Sequence, residues 1–385
     1  MPRAQSAREK TIPGFSPEKF AQGAEHSAAA SSLREVLMLG AISCAVFLAV
    51  VTRFDGYSHK VLHFGDNPGY LNVAEAIRHW NFSGLTIKQF WGLPFSITAV
   101  SLSTGISTFH ALLLICFLCY FASLILAYRL WGGSVAGVVA VLNFYWLQVS
   151  FLGGSEPLFV ALLYASFLAT RRDRWPLAGL LGSLATVVRP LGFLAPLSFG
   201  LVLLWRRDYR RLIYVTVITL CVAAAYMVAL RSAVGDPLAT VHSYTSEEPS
   251  PPPFGIPFYA LAKGALSPAT PVTNLILSLG WVGFIVLGMV RFLRDLKKSA
   301  YWASNPAEVL FSIGYLAMIC CYNAPYWALG NFARFAIPVV PFATLGWLPQ
   351  MPKSRWFLRV LAVISPALAA CSSIGITEVM HRLRS

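Results

Sequence analysis

Long apolar runs separated by short polar segments recur along the 385-residue chain. The runs are continuous and close to the ~20 residues that a helix needs to cross a bilayer, whereas a membrane β-barrel shows alternating segments of about ten residues. Lipid offers the backbone no hydrogen-bond partners, so we expect these runs to be helices. The pattern therefore predicts an all-α polytopic membrane protein with about eleven transmembrane helices. The expected spans are 34–52, 107–130, 133–151, 156–170, 175–189, 191–205, 211–230, 271–291, 307–322, 335–349 and 357–377.

The first long polar segment, residues 53–106, contains the sequence GDNPGY at positions 65–70. Asp66 or Asn67 is a favourable N-cap and Pro68 suits a first helical turn, so a helix is predicted to begin here. Apolar residues from Tyr70 to Trp80 recur at helical spacing, with polar residues on the other side, which is typical of an amphipathic helix lying on a membrane surface. The apolar stretch 92–106 is short and rich in Ser, Thr and Gly, and we interpret it as a second interfacial or re-entrant piece.

The distribution of basic residues predicts which side of the membrane each loop occupies. With the amino terminus inside, the cytoplasmic loops and the amino-terminal tail receive 20 of the 30 Lys and Arg residues. If 92–106 were a full span, the later basic clusters would lie outside, so the positive-inside rule favours the interfacial interpretation. The net charge of +14 comes from these clusters between apolar runs, and this pattern argues against a nucleic-acid partner.

This topology divides the chain into three parts. Residues 1–33 are predicted to be a disordered cytoplasmic tail, and 378–385 a short carboxy-terminal tail that falls on the outside. Residues 34–377 form a single transmembrane domain, with external loops at 53–106 and 231–270. The chain is 57% hydrophobic and 12% charged, which fits a protein embedded in lipid, and the compact chain favours a bacterial inner (plasma) membrane.

Four isolated charged residues are predicted to share the outer side of the membrane. Asp66 opens the interfacial helix, and Glu156 begins a span after Gly-Gly-Ser. Arg189 ends a span just before Pro-Leu-Gly, and Arg334 directly precedes another apolar run. Charged groups at this depth are costly unless they are paired or functional. Carboxylates that take a proton and arginines that bind phosphate would suit transfer of a group from a phosphate-linked donor.

Each of these residues also has a purely structural interpretation. Asp66 and Glu156 are both placed to cap helices, and Arg189 and Arg334 can extend to lipid headgroups. Asp55 is an alternative base to Asp66, although its surroundings also suit a turn. Three histidines in the same segment leave a divalent metal open, but no spacing such as H-E-x-x-H supports one.

The order of these motifs resembles the integral-membrane glycosyltransferases of the C superfamily, which use polyprenyl-phosphate sugars. The stretch GDNPGYLNVA (65–74) resembles the acid-bearing first external loop of that group. GGSEPLF (153–159) is similar to the second external motif of the PIG-V-like mannosyltransferases. WPLAGL (175–180) through ATVVRPLG (185–192) and RFAIPVVP (334–341) resemble later elements of the group.

The resemblance implies an inverting glycosyltransferase that moves a sugar from a polyprenyl-phosphate donor to a glycan, lipid or protein acceptor on the outer face of the membrane. In this interpretation Asp66 is the general base, and Glu156 is a second polar contact. Asp55, Tyr70, Arg189 and Arg334 would bind substrate. The alternatives are a transporter or flippase for a lipid-linked or anionic solute, and an assembly protein without chemistry. The sequence does not identify the sugar, the acceptor or the metal requirement.

Overall fold

A computed structural model of the chain describes residues 33–54, 56–83, 85, 89–245, 254–265, 272–296, 300–323, 331–351 and 354–374. The predicted tails, apart from Leu33, lie outside these ranges, and so does Asp55.

The described part of the chain is almost entirely helical. Its only β feature is an isolated bridge between Phe254 and Tyr322. Three helices are long and apolar enough to cross a membrane, and several shorter apolar helices accompany them. An all-α, membrane-embedded protein is therefore the correct class, while the number of about eleven spans stays a prediction. The three long helices are Leu33–Phe54, Thr108–Trp131 and Tyr209–Val234.

The first half of the chain contains the helices that carry Tyr70 and Glu156 and those that adjoin Asp66 and Arg189. In chain order they are α1 (Leu33–Phe54), α2 (Tyr57–Leu62), α3 (Asn67–His79), α4 (Gly92–Thr104), α5 (Thr108–Trp131), α6 (Gly133–Val141), α7 (Phe144–Phe151), α8 (Glu156–Arg171), α9 (Trp175–Val188) and α10 (Leu194–Trp205).

The second half contributes Arg334 and further packing around α8. Its helices are α11 (Tyr209–Val234), α12 (Ala239–Thr245), α13 (Tyr259–Ala265), α14 (Val272–Leu296), α15 (Tyr301–Ser304), α16 (Pro306–Cys321), α17 (Asn331–Phe335), α18 (Val340–Trp347) and α19 (Ser354–Ile374).

The predicted span 133–151 is not one straight helix. It is divided into α6 and α7, which meet at an angle of 72°. Asn143 causes the break locally, because its side-chain oxygen accepts hydrogen bonds from the backbone N–H groups of Tyr145 and Trp146 and so caps α7. Every residue of α6 is buried, so this segment lies inside the helical bundle rather than at its surface.

The predicted first external segment does contain helices at the expected places. α3 begins at Asn67 with Pro68 in its first turn, and it buries Tyr70, Val73 and Ala74. It ends at His79, and Trp80 follows in the left-handed region with 68% of its surface exposed, so the expectation that Trp80 continues the apolar face is wrong. The stretch 92–106 forms α4, which packs against α3 and α5.

α8 connects two charged clusters at opposite ends of the bundle. It has 16 residues, which corresponds to about 24 Å at the ~1.5 Å rise of an α-helix. Glu156 stands at its first turn and Arg171 at its last, so both charges complement the helix dipole. The predicted external residues gather at the Glu156 end, and loops predicted to be cytoplasmic gather at the Arg171 end.

The cluster at the Arg171 end is a fully paired network around Glu308, which is 1% exposed. Arg171 donates from Nε and Nη2 to the two carboxylate oxygens at 2.6 and 2.8 Å. Trp131 donates from Nε1 at 3.1 Å, and the Tyr301 hydroxyl donates as well. This network joins α5, α8, α15 and α16 at one end of the bundle.

Candidate functional site

Five of the six residues predicted to form the site lie together in the structure, although four different parts of the chain supply them. Asp66 and Tyr70 come from the start of α3, and Glu156 from the first turn of α8. Arg189 follows the end of α9, and Arg334 lies in α17. The sixth, Asp55, lies outside the described residues.

Glu156 is the centre of the cluster. Its carboxylate oxygen Oε1 accepts hydrogen bonds from Arg189 Nη1 and from Arg334 Nε. The Glu156 side chain is 3% exposed, while those of Arg189 and Arg334 are 13% and 17% exposed. A buried carboxylate is stable only when it is paired, and here one oxygen holds two guanidinium groups.

The other carboxylate oxygen of Glu156, Oε2, is buried and has no hydrogen-bond partner among the described residues. Both oxygens are enclosed by protein, so Glu156 orients the two arginines in this structure rather than facing the surface. The prediction that Glu156 also contacts a substrate stays a prediction.

Asp66 differs from Glu156 in exposure and in pairing. It occupies the N-cap position of α3, but its side chain makes no capping hydrogen bond. Oδ2 instead lies 3.5 Å from Arg334 Nη2, and the side chain is 48% exposed. A contact this long is at the outer limit of a hydrogen bond. Asp66 is therefore an accessible carboxylate that lies near the buried arginines and makes only one long contact, with Arg334.

Tyr70 is buried, and its hydroxyl donates a hydrogen bond to Ser155 Oγ at 3.1 Å. Arg189 Nη1 donates to the same Ser155 oxygen at 3.2 Å. Burial raises the pKa of Tyr70, and the neighbouring carboxylates of Asp66 and Glu156 raise it further. The tyrosine is therefore a neutral hydrogen-bond donor at physiological pH, and it joins α3 to the start of α8.

Asn67 fixes the position of the α3 start, a role that the sequence did not suggest. Its side-chain amide donates to the backbone carbonyls of Val61 at 2.8 Å and Leu152 at 2.7 Å. The next residue after Leu152, Gly153, has φ +109°, and a Cβ there would lie 2.7 Å from Asn67 Nδ2. Glycine is thus required for Asn67 to reach the chain just before Glu156.

Arg189 and Arg334 are held by neighbouring parts of the chain. Asn143 donates to the carbonyl of Ala333 at 2.9 Å, so the break between α6 and α7 supports the backbone directly before Arg334. The guanidinium of Arg189 lies 4.9 Å from the centre of the Phe335 ring, which is a cation–π arrangement. Tyr315 donates to the Phe335 carbonyl at 3.1 Å and fixes the same turn.

The two arginines and two carboxylates of the cluster are neutral overall, and the positive charge is confined to the buried part. Two guanidinium groups face one buried carboxylate, and the second carboxylate, Asp66, is half exposed and only loosely paired. The buried part therefore has one positive charge in excess. Arginine forks of this kind match phosphate geometry, and the accessible Asp66 lies beside them.

A metal ion has no matching set of ligands in the described part of the chain, where no group of three or more His, Cys, Asp or Glu residues is close enough to hold one. The rings of His59 and His63 have their centres 4.3 Å apart and their planes tilted by 31°, but no acid joins them among the described residues.

Comparison with models of protein families, with curated proteins and with solved structures gives no match for this chain.

Proposed function

We propose that the protein is an inverting glycosyltransferase that takes its sugar from a polyprenyl-phosphate donor and acts on the outer face of the cytoplasmic membrane. In support, the order of the sequence motifs resembles that of the C superfamily. One observation carries the proposal. The buried Glu156 binds two arginines, and one of them, Arg334, also contacts the accessible carboxylate of Asp66.

The reaction assigns one role to each charged group. Asp66 accepts the proton of an acceptor hydroxyl, whose oxygen then attacks the anomeric carbon from the face opposite the donor phosphate. A bond from the acceptor oxygen to that carbon forms as the bond from the carbon to the phosphate oxygen breaks. The polyprenyl phosphate leaves with the electron pair, and Arg334 and Arg189 stabilise its negative charge. The product has the opposite anomeric configuration.

Glu156 and Tyr70 are positioning residues in this mechanism. Glu156 holds both guanidinium groups through one oxygen, which fixes their direction before the donor binds. Tyr70 acts through Ser155, which also accepts from Arg189. Preorganised cations in a site of low dielectric stabilise developing charge better than mobile ones in water.

The proposed topology follows the same division of the bundle. The Asp66 end is assigned to the external side, and the Arg171 end to the cytoplasm, with about eleven spans in a GT-C-like arrangement. In support, the residues assigned to each side meet at opposite ends of α8. Cysteine labelling of exposed positions tests this: a cysteine at Asp236 should react with an impermeant reagent in intact cells, and one at Arg207 should not.

Purified protein in liposomes with a radiolabelled polyprenyl-phosphate mannose or glucose tests the activity. A delipidated extract of the source membranes supplies the acceptor. We expect the label to leave the lipid-linked pool and to appear in an acceptor, with free polyprenyl phosphate as the second product. Donor that crosses the bilayer chemically unchanged would instead establish a flippase.

The flippase is retained as a second candidate because of one observation, the 72° bend between α6 and α7. Broken helices near the membrane centre are common in transporters, where they line the substrate path. Here the capping residue Asn143 also supports the backbone at Ala333, so the bend has a structural role beside the arginine cluster. This second role favours the transferase.

A further inference from the structure

A long apolar groove lies on one side of the bundle, and its lining contains none of the residues of the charged cluster. It has a volume of about 600 Å³ and is bounded by α9, α10, α11 and α12. This volume falls within the ~300–1,000 Å³ that is typical of ligand sites. The lining along α11 extends from Leu212 to Leu230, about 27 Å at ~1.5 Å per residue, which is close to the thickness of the hydrocarbon core.

The groove has different surroundings at its two ends. At one end it is lined by Leu204 and Leu212, which flank the loop that joins α10 to α11. That loop contains Arg206 and Arg207, both exposed. The other end is lined by neutral side chains, including Phe90, Tyr226 and Thr240, and the exposed Arg231 follows the lining residue Leu230 there.

The arginine loop is joined to a second basic loop. Arg211, at the start of α11, donates to Asp173 from Nη1 at 2.8 Å, and its Nη2 makes a parallel contact at 2.5 Å. Asp173 lies between Arg172 and Arg174 in the loop from α8 to α9. Arg172, Arg174, Arg206 and Arg207 are all exposed, and within the described chain none of them has an acidic partner.

We infer that the groove binds an anionic phospholipid of the leaflet that faces these loops, with an acyl chain between α10 and α11 and its phosphate at Arg206 and Arg207. The apolar lining accounts for the acyl chain. The four unpaired arginines in the loops at one end, compared with Arg231 at the other, account for the position and sign of the headgroup. The Arg211–Asp173 pair holds the second loop beside the first. The groove lining shares no residue with the Asp66 cluster, and the inference does not depend on the proposed activity.

Brominated lipids can test this, because Trp205 is the last residue of α10, 64% exposed and next to Arg206. Full-length protein is placed in vesicles that mix phosphatidylcholine with phosphatidylglycerol, one of the two carrying bromine near the headgroup. The quenching lost on Trp205→Phe is the signal from Trp205 alone. We expect phosphatidylglycerol to be preferred over phosphatidylcholine by about tenfold or more at this position, from two arginines near an anionic lipid.

Two variants with matched controls separate the two parts of the site. Arg206→Gln combined with Arg207→Gln should reduce the preference to near unity, whereas Arg129→Gln, an exposed arginine assigned to the same side, should leave it unchanged. Gly200 lines the groove, and a Cβ there meets only Leu212 at 3.6 Å. Gly200→Leu should therefore obstruct the groove beside Leu212 and reduce saturable quenching by either lipid, while Gly280→Leu, in open space on α14, should not.

Three results would overturn the inference, provided that the variants remain monodisperse with unchanged melting temperatures. Equal quenching by both lipids in the parent protein would exclude headgroup selection. A preference that survives loss of both arginines would exclude the assigned headgroup site. Displacement of the brominated phosphatidylglycerol by polyprenyl phosphate at equimolar concentration would assign the groove to the donor chain instead.

Discussion

Asp66 Oδ2 lies 3.5 Å from Arg334 Nη2, although the two residues are 268 positions apart in the chain. The aspartate is half exposed, whereas the arginine is mostly enclosed and is bound more closely to Glu156. Two different carboxylates therefore contact Arg334, one buried and one accessible. Glu156 neutralises and orients the arginine, and the Asp66 carboxylate stays accessible from the surface.

Removing the charge of Glu156 should destabilise the fold. Glu156→Gln leaves Arg189 and Arg334 without their shared carboxylate, and loss of one partner from a buried ion pair costs about 3–5 kcal/mol. The apparent melting temperature of the purified protein should fall by several degrees. Glu75→Gln is the matched control, because Glu75 is 41% exposed and surface ion pairs contribute only about 0–1 kcal/mol. Equal melting temperatures for the two variants would contradict the central role of Glu156.

Replacing Arg334 by lysine should weaken donor binding more than it weakens the fold. Lysine keeps the charge but lacks the planar fork that can contact Glu156, Asp66 and a phosphate together. The affinity for a polyprenyl phosphate should fall about tenfold or more, as expected for a lost charged hydrogen bond. Equilibrium binding of the labelled lipid measures this. Arg231→Lys, at the end of α11 and outside the cluster, should bind as the parent does.

Gly153→Ala should displace Asn67 and so disturb the position of Asp66 in the charged cluster, although Gly153 itself is not part of the cluster. Its φ of +109° is unfavourable for alanine, and the added Cβ would approach Asn67 Nδ2 to 2.7 Å and break the Asn67 bonds to Val61 and Leu152. Left-handed strain costs about 1–2 kcal/mol, and each buried carbonyl left unpaired costs about 1–3 kcal/mol more.

Gly105→Ala provides the control for strain alone, because Gly105 has φ +76° but open space where a Cβ would lie. We expect Gly153→Ala to lower the melting temperature well below that of Gly105→Ala, and to reduce activity per folded molecule. Similar values for both variants would show that Asn67 does not anchor α3.

The network at the opposite end of α8 should affect stability alone. Glu308→Gln removes the charge that Arg171 pairs with, so a loss of about 3–5 kcal/mol is expected. Sugar transfer per folded molecule should remain at the parent level, since this network lies at the other end of the helix. Reduced sugar transfer by fully folded Glu308→Gln protein would indicate that the two ends of α8 are coupled, as a transporter requires.

The sequence predicted the helix at Asn67 because an N-cap residue and a proline mark its start, and this start agrees with the structure. The sequence also predicted that the four isolated charged residues lie at the same end of the bundle, because each stands at a boundary of a predicted span. It could not show that Asn67 would turn inward to Leu152, since a contact across 85 positions leaves no local signal. The break at Asn143 has a signal in the sequence, a polar cap residue inside an apolar run, but the length of the run 133–151 predicts one span.

The measurement that tests the central claim most directly is sugar transfer by Asp66→Asn beside Asp236→Asn. Asp236 is an acid assigned to the same side that pairs with His242, outside the cluster. Both variants should fold normally, because surface ion pairs contribute only about 0–1 kcal/mol, and both should bind donor. Loss of a general base lowers the rate about 10²–10⁴-fold, so we predict this loss for Asp66→Asn and parent activity for Asp236→Asn. Full transfer by well-folded Asp66→Asn would contradict the account.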